Sequence, residues 1–163
     1  MTNCEPSYST IQGFAEGTSY RIIYEGGYDF QQEIESLLSK FEKSLSVYDP
    51  SSIISRINRN EDIEVDDYFE ALFNRAKEIS NQTGGLFDIS AEPLFRAWGF
   101  SSKGKNIPNK ENIEELKKYI GMDKIRLQDK RIIKDHPNVV LNANAIAKGY
   151  SADVVASFLD KKN

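Results

Sequence analysis

The chain has 163 residues, 39% of them hydrophobic and 28% charged, enough for one globular domain with a true core. Its 25 acidic and 21 basic side chains give a net charge of −4, which argues against a nucleic-acid partner, whose phosphates require a basic surface. A single cysteine and a single histidine exclude an intrachain disulfide and a thiolate/imidazole zinc site, so any metal must use oxygen ligands, which suits magnesium or calcium.

In chain order, Tyr8 to Tyr24 reads as two strands broken at Gly13 and at Gly17-Thr18, and ended by Gly26-Gly27. Asp29 then caps a helix, with Gln32 closing a capping box. Ile34, Leu37, Leu38, Phe41 and Leu45 form that helix's apolar face. The helix stops near Tyr48-Asp49-Pro50, where Asp49 and Pro50 also have the form of a new helix start, with Ile53, Ile54 and Ile57 inward.

A helix from about Asp67 to Asn81 ends at the C-cap glycines Gly84-Gly85. A short helix around Pro93 to Trp98 precedes a polar stretch, Ser101 to Asn109, expected to be a mobile loop. Asn112 to Tyr119 is helical. Ile125 to Leu127 and Arg131 to Ile133 pair as a hairpin, Val139 to Leu141 reads as a buried strand, and Ala147 to Leu159 is the last helix. Strands early and late with helices between predict an α+β fold, a mixed, largely antiparallel sheet flanked by helices. No apolar run approaches transmembrane length.

Three stretches carry chemistry, each with a plainer alternative. Thr83 to Asp88 brings glycines, where a ligand can approach the backbone, to a carboxylate that can accept from an amine or hydroxyl; the same residues serve as a helix C-cap and a core phenylalanine. Tyr48, at a helix-to-helix corner, presents a ring for stacking on a flat heterocycle, or plugs the space under the Asp49-Pro50 turn. Asn142 to Gly149 turns a strand into a helix N-terminus, suited to a diphosphate, with Lys148 as a point cation; or Asn144 simply caps the helix and Lys148 is solvated. Phe95, Trp98 and Phe100 are expected to pack in support of the Gly85 loop, Arg56 to form a structural ion pair, and His136 to sit in an exposed turn.

Four segments together resemble the ApbE family of FAD:protein FMN transferases. They are Gly17-Thr18-Ser19-Tyr20; Ser46 to Pro50 with Ser55-Arg56-Ile57-Asn58; Thr83 to Asp88 with Pro93-Leu94 and Trp98-Gly99-Phe100; and Asn144 to Tyr150. The resemblance implies transfer of FMN from FAD to a threonine or serine hydroxyl of a target protein, with release of AMP and with magnesium. It further implies that Leu86, Phe87 and Asp88 line the adenosine, that Tyr48 packs on the flavin end, and that Asn142 and Lys148 belong to the FAD-binding set. Lys148 would lie near the phosphates as the catalytic residue, and the Ala145 carbonyl would be one magnesium ligand.

Family chains are about twice as long, so residues 1–163 are expected to be an N-terminal half whose metal site is completed elsewhere. The alternative is an FAD-binding or FAD-hydrolysing module, or a non-catalytic fragment that needs a second chain. Two departures stand out: Asn142 where the family commonly has aspartate, and Glu16 where it often has methionine. A carboxylate at position 16 is expected to turn to solvent. Many family members are envelope lipoproteins, so Cys4 is either a lipid-anchoring residue of a cell-envelope or periplasmic protein or an unmodified surface thiol.

Overall fold

The two hairpins follow from strand formers closed by left-handed turns. In the computed structural model, which describes residues 7–100 and 107–162, β1 (Tyr8–Ala15) pairs antiparallel with β2 (Thr18–Glu25). Their two-residue turn, Glu16-Gly17, has φ of 52° and 72°, the pair of positive values that matches the twist of a tight hairpin. Gly13 does not break β1. It lies opposite Tyr20, whose ring occupies the space a side chain would need.

Helix α1 (Gln31–Leu45) buries Ile34, Leu38, Phe41 and Leu45, as its periodicity predicts. Its start is corrected by one residue. Phe30 is the N-cap, buried against Tyr24 and Phe158, while Asp29 lies outside and accepts only from the Gln31 N–H at 2.9 Å. A second correction falls on α2 (Ile53–Asn58). Its cap is Ser52, which accepts from the Ser55 N–H at 3.1 Å and donates to the Ser46 carbonyl at 2.6 Å. Asp49 instead closes a local turn: the Ser51 hydroxyl and N–H both donate to it and hold its carboxyl below the usual carboxylate range.

Helix α3 (Asp67–Gln82) is capped by Asp66 and ends in a Schellman motif, in which the Gly85 N–H reaches the Ser80 carbonyl and the Gly84 N–H that of Asn81. Short helices α4 (Glu92–Ala97) and α5 (Lys110–Lys117) lead to β3 (Ile125–Gln128) and β4 (Arg131–Lys134). Helix α6 (Asn144–Asp160) follows. Among the described residues the strands form two separate antiparallel hairpins among helices; the α+β class holds. The expected loop at 101–106 lies outside the described residues.

Two apolar clusters make the core, and α1 belongs to both. Phe41 and Leu45 join Ile54, Phe69, Phe73, Ile125 and Leu141. Ile34 and Leu38 join Ile11 of the first hairpin and Val155 and Leu159 of α6.

Val139 and Leu141 are fully buried and Val140 half-buried, but the segment is not a strand, which overturns that expectation. Among the described residues no strand pairs with it. The Asn58 side chain takes that place: it accepts from the Leu141 N–H at 2.8 Å and donates to the Leu141 carbonyl at 2.9 Å. Replacing Asn58 by alanine strands two peptide groups of a fully buried residue, each worth about 1–3 kcal/mol. Asn58→Ala is therefore expected to lower unfolding free energy by about 2–4 kcal/mol in a denaturant titration.

Candidate functional site

The corner between α1 and α2 is locked by serines. The Ser46 carbonyl, past the last turn of α1, accepts from both Ser52 and Ser55 hydroxyls, at 2.6 and 3.2 Å. Tyr48 projects from this corner with 82% of its surface exposed, which rules out the plug reading. Its hydroxyl accepts from the Asn144 side-chain amide at 3.2 Å, so the corner and the start of α6 meet although 96 residues separate them in sequence.

They enclose a cavity of about 520 Å³. Phe41, Leu45 and Ala147 give it an apolar lining, and Tyr48, Asn144, Lys148, Glu16 and Glu42 polar groups. Such a mixture is what an aromatic ligand with a charged tail requires. Lys148, on the second turn of α6, donates to the Glu16 carbonyl at 2.9 Å. The Glu16 N–H donates to the Glu42 carboxylate of α1. The Glu16 side chain does not simply turn to solvent as expected: its Oε1 is buried with no hydrogen-bond partner among the described residues.

The other predicted residues occupy an adjoining segment. Leu86, Phe87 and Asp88 follow α3 and do not line the cavity. Leu86 is 92% exposed, whereas Phe87 packs on the larger core cluster. Asp88 accepts from the N–H and hydroxyl of Ser90, at 2.7 and 2.6 Å, so its hydroxyl partner in this structure is its own neighbour. Asn142 joins this segment to α6. Its N–H donates to the Ile89 carbonyl at 2.7 Å, its side-chain amide donates to buried Glu92 at 2.6 Å, and its side-chain oxygen accepts from the Asn144 N–H at 2.9 Å. Asn144 is thus not the cap of α6; Ala143 is, and Asn142 supplies the oxygen.

Ala145 lies in the first turn of α6, so its carbonyl is directed along the helix and retains one lone pair. The described residues contain no group of three or more His, Cys, Asp or Glu side chains that could hold a metal. The described residues do not by themselves fit a magnesium ion.

Sequence reasoning missed Glu42, Asn144 as a Tyr48 partner, and Glu92. Glu42 sits on a solvated helix face by periodicity, and only the long-range return of the hairpin turn reveals it. Arg56 pairs with Glu61 at 2.7 Å, as expected of it, and His136 is exposed in its turn. Phe95, Trp98 and Phe100, expected to pack, are exposed instead, Phe95 and Phe100 meeting edge-on at 6.4 Å.

Asn142 is matched to Glu92 by charge. Asn142→Asp would set two carboxylates against each other in a buried site. Protonation relieves that repulsion, so the variant's deficit relative to the parent is absent at low pH and appears as pH rises. It is expected to reach about 1–3 kcal/mol at pH 8 in chemical denaturation, and Asn142→Asp combined with Glu92→Gln should remove most of it.

Comparison with known proteins adds to this geometry. The ApbE family profile matches residues 16–163. The FAD:protein FMN transferase of Haemophilus influenzae is 28% identical over 98% of this chain and 51% of its own length. That of Vibrio cholerae serotype O1 is 26% identical over 99% and 52%. Among solved structures, the flavin transferase ApbE from Vibrio cholerae superposes with a TM-score of 0.89 at 26% identity, over 96% of this chain and 54% of that one. The apo flavinyl transferase ApbE of Pseudomonas stutzeri gives 0.89 at 26% identity, over 99% and 55%. The chain spans about half the length of the curated relatives it matches.

Proposed function

The chain belongs to the ApbE family, and from that premise we propose that it forms the N-terminal half of an FAD-handling site that transfers FMN from FAD to a threonine or serine hydroxyl of a target protein, releasing AMP. The observation that supports this reading best is the meeting of Tyr48, Asn144 and Lys148, from two distant segments, on one cavity with an apolar lining. In the proposed complex the flavin end stacks on the exposed Tyr48 ring. The diphosphate lies toward Lys148 and the N-terminus of α6, where the helix dipole and the ammonium offset its charge. Leu86, Phe87 and Asp88 take the adenosine, and Asn142 ties that segment to α6.

Lys148 is the catalytic residue of this proposal, by steadying charge on the phosphate as the bond to AMP breaks. The reaction asks for positioning and charge stabilisation rather than a covalent enzyme nucleophile. Magnesium, where it takes part, would take one oxygen from the Ala145 carbonyl and would need its other ligands from outside the described residues. A cell-envelope or periplasmic location, with a lipid on Cys4, belongs to the same proposal and rests on the place of that cysteine in the sequence; Cys4 lies outside the described residues. No helix among the described residues is long and apolar enough to cross a membrane.

A second reading, a module that binds or hydrolyses FAD, or a half-site that needs a second chain, is favoured by the lack of an acidic metal group among the described residues. Titrating FAD into the chain and following flavin fluorescence tests the site. Stacking on Tyr48 should quench the flavin, and Tyr48→Ala should weaken binding about 10-fold, within the roughly 1–3 kcal/mol of one stacked ring. With magnesium and a threonine- or serine-bearing acceptor protein added, FMN joined to the acceptor with AMP released supports the first reading, AMP with free FMN or binding without AMP supports the second, and a chain that leaves FAD fluorescence unchanged refutes both.

A further inference from the structure

The tip of the first hairpin is clamped by two opposite charges from different helices. In a two-residue turn, Ala15 and Thr18 are the last paired residues, so the N–H and carbonyl of Glu16 lie outside the ladder and need partners of their own. Helix α1 gives one through the Glu42 carboxylate, which accepts from the Glu16 N–H. Helix α6 gives the other through Lys148, whose ammonium donates to the Glu16 carbonyl at 2.9 Å. All three side chains line the cavity that holds Tyr48.

We propose that Glu42 is a positioning residue for the flavin site, holding the Lys148 ammonium at the cavity through the Glu16 backbone; this rests on the function proposed above. Lys148 sits on a flexible four-carbon stem and, unheld, samples many rotamers. One of its three N–H groups is spent on the Glu16 carbonyl, which leaves two for an anionic ligand. The Glu16 carbonyl can act as that anchor only while the turn stays put, and the Glu42 acceptor fixes the turn from the side opposite the lysine. Hydrogen bonds to charged partners are the strong ones, so each half of the clamp is a charge-assisted bond to a neutral peptide group.

The role as acceptor and a role as mere charge have opposite signs. A carboxylate near an anionic diphosphate repels it, so if charge alone mattered, removing Glu42 would tighten FAD binding. If the acceptor matters, losing it loosens the lysine and weakens binding. Glu42→Met keeps side-chain length and helix propensity but has no acceptor; Glu42→Gln keeps an acceptor oxygen and drops the charge. Titrations of FAD into the chain should show Glu42→Met weaker by about 10-fold, the scale of one charge-assisted hydrogen bond, and Glu42→Gln within about threefold of the parent.

In a Lys148→Ala background Glu42→Met should change affinity less than about twofold, because the group it positions is gone. Amide hydrogen exchange gives a reading without ligand: the Glu16 N–H should be protected in the parent and the Gln variant and exchange freely in the Met variant. Glu42→Gln or Glu42→Met binding more than 10-fold tighter than the parent would overturn the role, and the Gln variant decides this even where the Met variant fails to fold. An undiminished effect of Glu42→Met without Lys148 would overturn it as well. A parent chain that binds FAD while Glu42→Met binds equally well removes the positioning role alone. A parent chain that binds no FAD removes the proposed function and this role with it.

Discussion

A peptide group taken away from water must find a partner, and the described residues have few strands to offer one. Among the described residues the strands form only two hairpins, yet the core segment around Val139 and Leu141 buries both residues completely outside any strand. Side chains fill the gap. Asn58 stands in for a strand beside Leu141, Ser52 and Ser55 close the Ser46 carbonyl, Asn142 begins α6, and Glu42 and Lys148 hold the Glu16 turn. Each joins elements that are distant in sequence or turns a corner between helices. The fold is held in register by polar side chains at its seams as much as by its apolar clusters.

That constraint also explains what could be read from the sequence. Periodicity found the inner face of α1 and the existence of α3, α5 and α6, because a burial pattern is a local property. Gly84-Gly85 was legible as a C-cap since only glycine readily takes the left-handed conformations both adopt, with φ of 61° and 83°. The cap of α2 was misread because Asp49-Pro50 and Ser52 are both competent starts, and the choice was made by the Ser46 carbonyl six residues upstream. Val139 to Leu141 was misread as a strand because an apolar β-branched run looks the same whether its partner is a strand or one asparagine.

The candidate site divides along the same line. Tyr48 and Lys148 were legible as residue types in a family-like order, and they do share a cavity. What binds them into one unit was not legible, since Glu42 and Asn144 act across 26 and 96 residues. The exposure of Phe95, Trp98 and Phe100 belongs here too. Aromatic residues near a glycine turn imply packing when a chain is read alone, but the relatives are twice as long, and these rings lie on the surface of the half that this chain spans.

The pairing of Asn142 with Glu92 shows how a neutral amide is used at the root of α6. A buried carboxylate, Glu92, lies 2.6 Å from the asparagine amide and is paired with Arg96 at 3.2 Å. Asn142 uses its donor to face Glu92 and its acceptor to start the helix. An aspartate could do only the second of these while ionised. Asn142 and Glu92 therefore act as one unit at the root of α6, and a change at one is felt at the other.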